Sequence, residues 1–164
     1  MFNTFVDFGD IKGECTVKEY KDCVQATKVE FHVTQPASVT QQTAGGRSAE
    51  AVNFSPLAIE KLVDKASPKL FEAAIMGTHL PKVVISYTRA GGDSPVKYLE
   101  ITLKEVLINR HEHVGDPKGD NQFPKERIEM VFGAIEKTYT QQKPDGKAGG
   151  NVAMKWKVSE GVAA

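Results

Sequence analysis

The chain has 164 residues, 40% of them apolar and 26% charged, which suffices for one domain with a single core and is too little for two. Its 21 Lys and Arg balance 21 Asp and Glu, so no net field draws the whole molecule to nucleic acid or to an anionic membrane; a nucleic-acid role would need a local patch. No stretch approaches the about 18–20 consecutive apolar residues of a bilayer-spanning helix, so a soluble protein without membrane insertion is expected.

The N-terminal segment MFNTFVDFGDIKGE lacks a basic start and sets Asp7, Asp10 and Glu14 close behind a short apolar run. That is not a Sec signal peptide, and synthesis is expected to end in the cytoplasm. Phe2, Thr4, Val6 and Phe8 alternate with Asn3, Phe5 and Asp7, so both faces carry apolar residues and a largely covered first strand is predicted. Turns at Gly9 and Gly13 close it. Cys15 and Cys23 are the only cysteines and cannot make the disulfide framework of a small secreted domain, so free thiols are expected.

A second strand is predicted over Cys23–Thr34, with Val24 and Ala26 on one face and then a slip near Thr27-Lys28 that reads as a bulge. Beyond the slip, Val29, Phe31 and Val33 stand against Lys28, Glu30 and His32. Residues Gln35–Glu50 are polar, contain Gly45-Gly46, and show no period; loops of that length are commonly functional or disordered. Alternation resumes over Val52–Ile59. The segment Asp64–Gly77 carries the strong helix signal: Ser67 as N-cap, Pro68 at the first helical position, an apolar stripe of Leu70, Ala73, Ala74 and Met76, and Gly77 at the end.

Lys82–Asn109 comprises two alternating apolar runs joined at Gly91-Gly92-Asp93, a hairpin. Ile128, Met130 and Phe132 alternate, then slip at Gly133-Ala134 to Ile135 and Tyr139, which reads as another bulge. Val152, Met154, Trp156 and Val158 alternate with Ala153, Lys155 and Lys157, core in and charge out, so Trp156→Ala is expected to cost about 3–5 kcal/mol. These elements predict a mainly β single domain over 1–164, a small barrel or sandwich of about seven to nine strands with one short α-helix on its flank.

The sequence presents no catalytic constellation. His111-Glu112-His113 places two imidazoles on one face of a strand, half a zinc site, yet Gly115 stands where the metalloprotease motif needs a second-turn histidine. A solvated strand end is the simpler reading, and no metal is assigned. Asp7, Asp10 and Glu14 lie in a Gly-broken turn, where carboxylates cap amides or face water. No dinucleotide or phosphate-loop glycine pattern occurs, and no nucleophile elbow. Cys15 and Cys23 lack a neighbouring His or Lys pair to make a thiolate nucleophile. No catalytic residue and no cofactor are assigned.

Taken in order, Asp10-Ile-Lys-Gly-Glu14, Asp64-Lys-Ala-Ser-Pro-Lys-Leu70 with Gly77-Thr-His79, Arg89-Ala-Gly-Gly92, Tyr98–Val106 and Gly149-Gly150 before Trp156 resemble the haemolysin-coregulated protein (Hcp) family of bacterial type VI secretion systems, across nearly the whole chain. The resemblance implies a two-sheet β-barrel with a helix on its flank. It further implies a non-enzymatic subunit of homohexameric rings that stack into the inner tube, meet the spike protein and sheath, and carry effectors in the lumen. Such a protein is made in the cytoplasm and secreted through the apparatus without a signal peptide. On this correspondence Lys28, Glu30 and His32 face the lumen and cargo, and Thr40, Gln41, Gln42, Thr43, Ala44, Gly45, Gly46 and Arg47 form the ring-stacking loop. Two other readings compete: a monomeric barrel that holds a small apolar ligand, and a metal-dependent hydrolase built on His111 and His113.

Overall fold

Alternating apolar residues become ten strands and one α-helix among the described residues of the computed structural model, which are 4–36, 51–89, 95–114, 124–143 and 148–163. The strands are β1 (Thr4–Asp7), β2 (Val24–Glu30), β3 (Val33–Thr34), β4 (Asn53–Phe54) and β5 (Leu57–Leu62), then, after α1 (Ser67–Met76), β6 (Leu80–Arg89), β7 (Val96–Val114), β8 (Lys125–Gln142), β9 (Ala148–Lys157) and β10 (Val162–Ala163). All pairings are antiparallel. Strand order in the large sheet is β10-β9-β8-β5-β2-β1-β6-β7, and a further pairing of β7 with β8 closes β8, β5, β2, β1, β6 and β7 into a six-stranded barrel. Closure removes the exposed edges that an open sheet would present. β9 and β10 extend outward from β8, and β3 with β4 forms a separate two-stranded piece.

Side chains fill the barrel. Val6, Val24, Leu57, Ile59, Val83, Ile85, Leu103, Val106, Ile128 and Met130 are fully buried within one cluster, to which α1 adds Leu70 and Ala73. β1 is covered on both faces, with Val6 in the barrel and Phe5 stacked on Tyr20 at 4.3 Å between ring centroids. The bulge in β2 sits where the alternation slips, between Ala26 and Lys28.

Four expectations change. β8 holds its register with β7 through Gly133 and Ala134, so no bulge lies there. Instead both strands exchange faces at one level: Leu103 and Ile135 are buried partners, Val106 is the next buried residue on β7, and Glu105 between them has φ of 52°. A left-handed non-glycine residue costs on the order of 1–3 kcal/mol and turns the strand. Gly133 lies opposite, and any Cβ there would run into the Glu105 carboxylate. The extra residue is Asn109 on β7, between the Ile108 and Arg110 pairings. The hairpin of β6 with β7 forms as predicted, although its joining residues 90–94 lie outside the described ones.

Met76 is 72% exposed, so the buried stripe of α1 is Leu70 and Ala73, with Ala74 half-buried. Gly77 closes the helix as expected, at φ 60° and ψ 37°, its amide donating to the Ala73 carbonyl. Val33 is exposed rather than core-facing, because β2 has ended and β3 pairs only with β4. Trp156 is half-buried, packed on the core beside its cross-strand partner Ile135, while Met154 and Val152 on the same face are open. β9 lies outside the closed ring of strands, so its apolar face has no core of its own to cover it. Truncating Trp156 therefore removes less buried area than the full burial that alternation implies.

Leu70 is the fully buried anchor of α1. Leu70→Ala is expected to lose about 2–5 kcal/mol of unfolding free energy in a urea titration; a loss below 1 kcal/mol would show that the helix is not held by this contact.

Candidate functional site: a charged wall, open apolar faces and a buried ionic centre

Lys28 and Glu30 stand exposed on β2, and His32 follows on the same segment. Strand order gives them partners that sequence separation hides. Lys28 is the cross-strand partner of Glu60 on β5, Glu60 that of Arg127 on β8, and Arg127 that of Glu112 on β7, a row of alternating sign across four strands. Opposite charges on facing positions of a sheet attract. Lys28 Nζ lies 2.7 Å from Glu30 Oε1, Arg127 Nη1 lies 2.8 Å from Glu30 and 3.2 Å from Glu60, and Arg127 Nε lies 3.1 Å from Glu129. Hydrogen bonds from Lys28 and Arg127 hold the Glu30 carboxyl below the usual carboxylate range. An open groove of about 650 Å³ borders Glu30, His32, Ser55 and Arg127. The backbone amide of His32 donates to Ser55 Oγ at 2.8 Å and its carbonyl accepts from the Ser55 amide, which ties the end of β2 to the entrance of β5. The residues Thr40–Arg47 lie outside the described ones.

Two apolar faces lack cover among the described residues. On α1, Ile75 and Met76 point away from the barrel, Ile75 being 70% exposed, and Phe71 beside them is partly open although one side of its ring packs on β7. On the outer hairpin, Tyr139 on β8 and Val152 on β9 are cross-strand partners, and Val152 is 74% exposed with Met154 open on the same face. Apolar surface of this extent on one chain marks a contact face. β10 pairs only with Lys157 and Trp156, so the edge of β9 from Ala148 to Lys155 has no strand beside it among the described residues.

The turn carboxylates behave as expected. Asp7 accepts from the Gly9 amide at 2.9 Å and Glu14 from the Lys65 amide at 3.0 Å. Both cysteines are free, Cys15 buried, and burial followed by the nearby Asp7 pushes the Cys23 thiol up to about 11, away from nucleophilic service.

Under α1 sits an ionic centre that nothing in the linear pattern marks. Lys61 on β5 and Glu126 on β8 are both 0% exposed, with Nζ 2.6 Å from Glu126 Oε1. The ammonium also donates to Asp64 Oδ1 at 2.8 Å and to Ser67 Oγ at 3.1 Å, so its three protons have three acceptors. Ser67 donates to Glu126 Oε1 at 2.6 Å and accepts from the Asp64 amide. Ser67 is therefore not an N-cap, as the sequence pattern suggests: its hydroxyl is committed to the ion pair, and no side chain caps the helix. His111, expected at a solvated strand end, closes the other side of this centre. Its side chain is 2% exposed, Nε2 lies 3.1 Å from Glu126 Oε2, and the Phe71 ring packs edge-on at 5.2 Å. Burial holds the imidazole below the usual histidine range, against the opposing pull of Glu126. His113, exposed, is the cross-strand partner of Glu126, so the two imidazoles and this carboxylate share one end of the β7 and β8 ladder.

The sequence profile described as "Type VI secretion system effector, Hcp" matches residues 5–139. The chain belongs to the Hcp family. It is 33% identical over 161 residues, 98% of its length and 97% of the relative's, to Protein hcp1 of Pseudomonas aeruginosa. Among solved structures, one described as a type six secretion system protein superposes with a TM-score of 0.92 at 22% identity, covering 100% of both chains. Hcp1 from Salmonella typhimurium gives 0.80 at 19% identity, covering 98% of this chain and 97% of that one. A type VI secretion system effector from Yersinia pestis gives 0.74 at 22%, covering 94% and 98%. The chain is thus a type VI secretion tube and effector protein of Hcp type, a barrel whose outward surfaces are its working parts. The open faces and the cross-strand charge row fit that role. Sequence reasoning singled out Lys28, Glu30 and His32 and missed Lys61 and Glu126, which stand among other charged residues in Leu57–Leu62 and Lys125–Gln142 and carry no mark of burial there.

Breaking a buried pair by removing one partner strands the other charge. Lys61→Met is expected to cost about 3–5 kcal/mol in urea unfolding at fixed protein concentration, and adding Glu126→Leu to it should recover most of the loss. Equal stability of the single and double variants would show that the pair is not the source of the cost.

Proposed function

We propose that this Hcp protein closes into hexameric rings that stack into the inner tube of the secretion machine. Lys28, Glu30 and His32 then line the lumen, and Thr40–Arg47 reach the neighbouring ring. The supporting observation is the pair of uncovered apolar faces, Phe71, Ile75 and Met76 on α1 and Tyr139, Val152 and Met154 on the outer hairpin, on a chain whose barrel is already filled. A specific ring contact should bury at least about 1,000 Å² in total, and copies of a chain with no net charge do not repel one another at long range. The same filled interior weighs against a monomeric barrel that holds a small apolar ligand.

In this reading the protein performs no catalysis. It is made in the cytoplasm, leaves through the apparatus without a signal peptide, and meets the spike protein, the sheath and effectors that ride in the lumen. Each charge on the lumen wall is met by an opposite one across the sheet, so cargo would encounter a polar, nearly neutral surface with the groove at Glu30 and His32 as its relief.

Sedimentation of the purified protein should give a mass several times 17.9 kDa, and electron microscopy should show rings. A monomer at micromolar concentration would refute the ring reading. Deleting Thr40–Arg47 should leave rings intact and abolish stacked tubes; tubes of ordinary length from the deletion would remove that segment from the stacking contact.

Glu30→Lys replaces the partner of Lys28 and Arg127 at an exposed site, so stability should change little. Effector retained in pull-down should nevertheless change severalfold. Unaltered retention would place the cargo contact elsewhere.

A further inference from the structure

We propose that His111, His113 and Glu126 form a binding site for one divalent transition-metal ion, zinc by donor type, at the barrel end beneath α1. One ligand atom from each of the three lies within 4.8 Å of the others. The ladder sets this up: His113 is paired with Glu126 and His111 with Ile128, so all three ligands project from the same face of adjacent strands.

Spacing and burial both favour an ion. His111 Nε2 and Glu126 Oε2 are 3.1 Å apart, close to the about 3.3 Å that separates two ligands of a tetrahedral zinc at bond lengths of about 2.0–2.1 Å. The two atoms meet as an ion-pair contact without the alignment of a full hydrogen bond. His111 Nδ1 and Nε2 and Glu126 Oε2 are buried without a hydrogen-bond partner among the described residues. Buried polar atoms of this kind are ordinarily satisfied, so a residue pair with a free nitrogen and a free oxygen turned toward each other points to a missing third party.

The surroundings supply the outer layer that a metal site needs. Lys61 and Ser67 occupy Glu126 Oε1, which orients the carboxylate and leaves Oε2 as a single donor. Phe71 fixes the plane of the His111 ring. His113 is exposed and gives the ion its entry, and water would complete a tetrahedral shell. Two imidazoles with one carboxylate suit zinc over the oxygen-seeking calcium and magnesium. The ion would clamp β7 to β8 and, through Lys61 and Ser67, both to α1. This reading rests on the side-chain geometry alone and stands or falls apart from ring assembly.

The test uses untagged full-length protein stripped with chelator, then supplied with zinc chloride or cobalt chloride alone. Elemental analysis after desalting should give one zinc per chain, cobalt should give the visible absorption of a tetrahedral ion, and zinc should raise the melting temperature. His113→Ala changes an exposed residue, so the fold should persist by circular dichroism while zinc affinity falls by more than the about 10–100-fold that loss of an outer partner costs. His32→Ala and His79→Ala should bind as the parent does. Failure of the parent to take up one zinc or cobalt per chain, or undiminished uptake by His113→Ala, would overturn the site.

Discussion

The end of the barrel at which α1 docks depends on one desolvated ion pair. Lys61 and Glu126 are wholly removed from water, which carries a penalty of several kcal/mol per charge unless every proton and lone pair finds a partner. The surrounding chain meets that demand at the Lys61 ammonium and at Glu126 Oε1. Asp64 takes one ammonium proton while its carboxylate also accepts from the Ala66 amide, and Ser67 gives up the capping of its own helix to bridge Lys61 and Glu126. The loop before α1, the first turn of the helix and strands β5 and β8 are thereby fixed to one another. Leu70 then inserts from the next turn into the filled barrel. A charged cluster thus sets the position of a helix whose apolar face is only Leu70 and Ala73, too little by itself to specify a docking angle.

A second constraint is length. β7 has 19 residues and β8 has 18, well beyond the about 5–6 residues of a common strand. A filled six-stranded barrel cannot cover strands of that reach. The two accommodate it by exchanging faces together at Glu105 and Gly133, so that Leu103 and Val106 both stay inside although three positions apart. On its other edge the later half of β8 pairs with β9, which lies outside the closed ring, and Tyr139, Val152 and Met154 there are open. The excess length that would be a liability in a solitary protein is the material from which an assembly contact can be made. The exposed apolar faces follow from this: the chain keeps its core small and leaves part of its hydrophobic sequence uncovered among the described residues.

Strand periodicity was legible where a residue faced its own core. The slip at Thr27-Lys28 correctly located the bulge, and Gly77 correctly ended the helix, because a register slip and a left-handed cap are local events. The slip at Gly133-Ala134 was a real face change with a different cause, since its conformational source, Glu105, lies on the partner strand. Trp156, Met154 and Val152 were read as equally buried because alternation reports which face a residue occupies and not whether anything lies against that face. Lys28, Glu30 and His32 were located as exposed, but the pairing of Lys28 with Glu60 and of Glu30 with Arg127 requires strand order. The buried centre was invisible for the same reason: Lys61 and Glu126 are 65 residues apart, and His111 resembled half of an incomplete motif.

By itself the sequence determined a mainly β domain with one helix, the absence of a helical span, and an ordered set of segments sufficient to place the chain in the Hcp family. Those features follow from local patterns of polarity and turn residues, which one segment can display alone. Only the tertiary structure decided which apolar faces are covered, that the barrel closes through β7 and β8, and that Lys61, Ser67, His111, His113 and Glu126 meet. Each of these depends on strand pairing between segments distant in the chain, and pairing energies belong to two segments at once, so no single segment can record them.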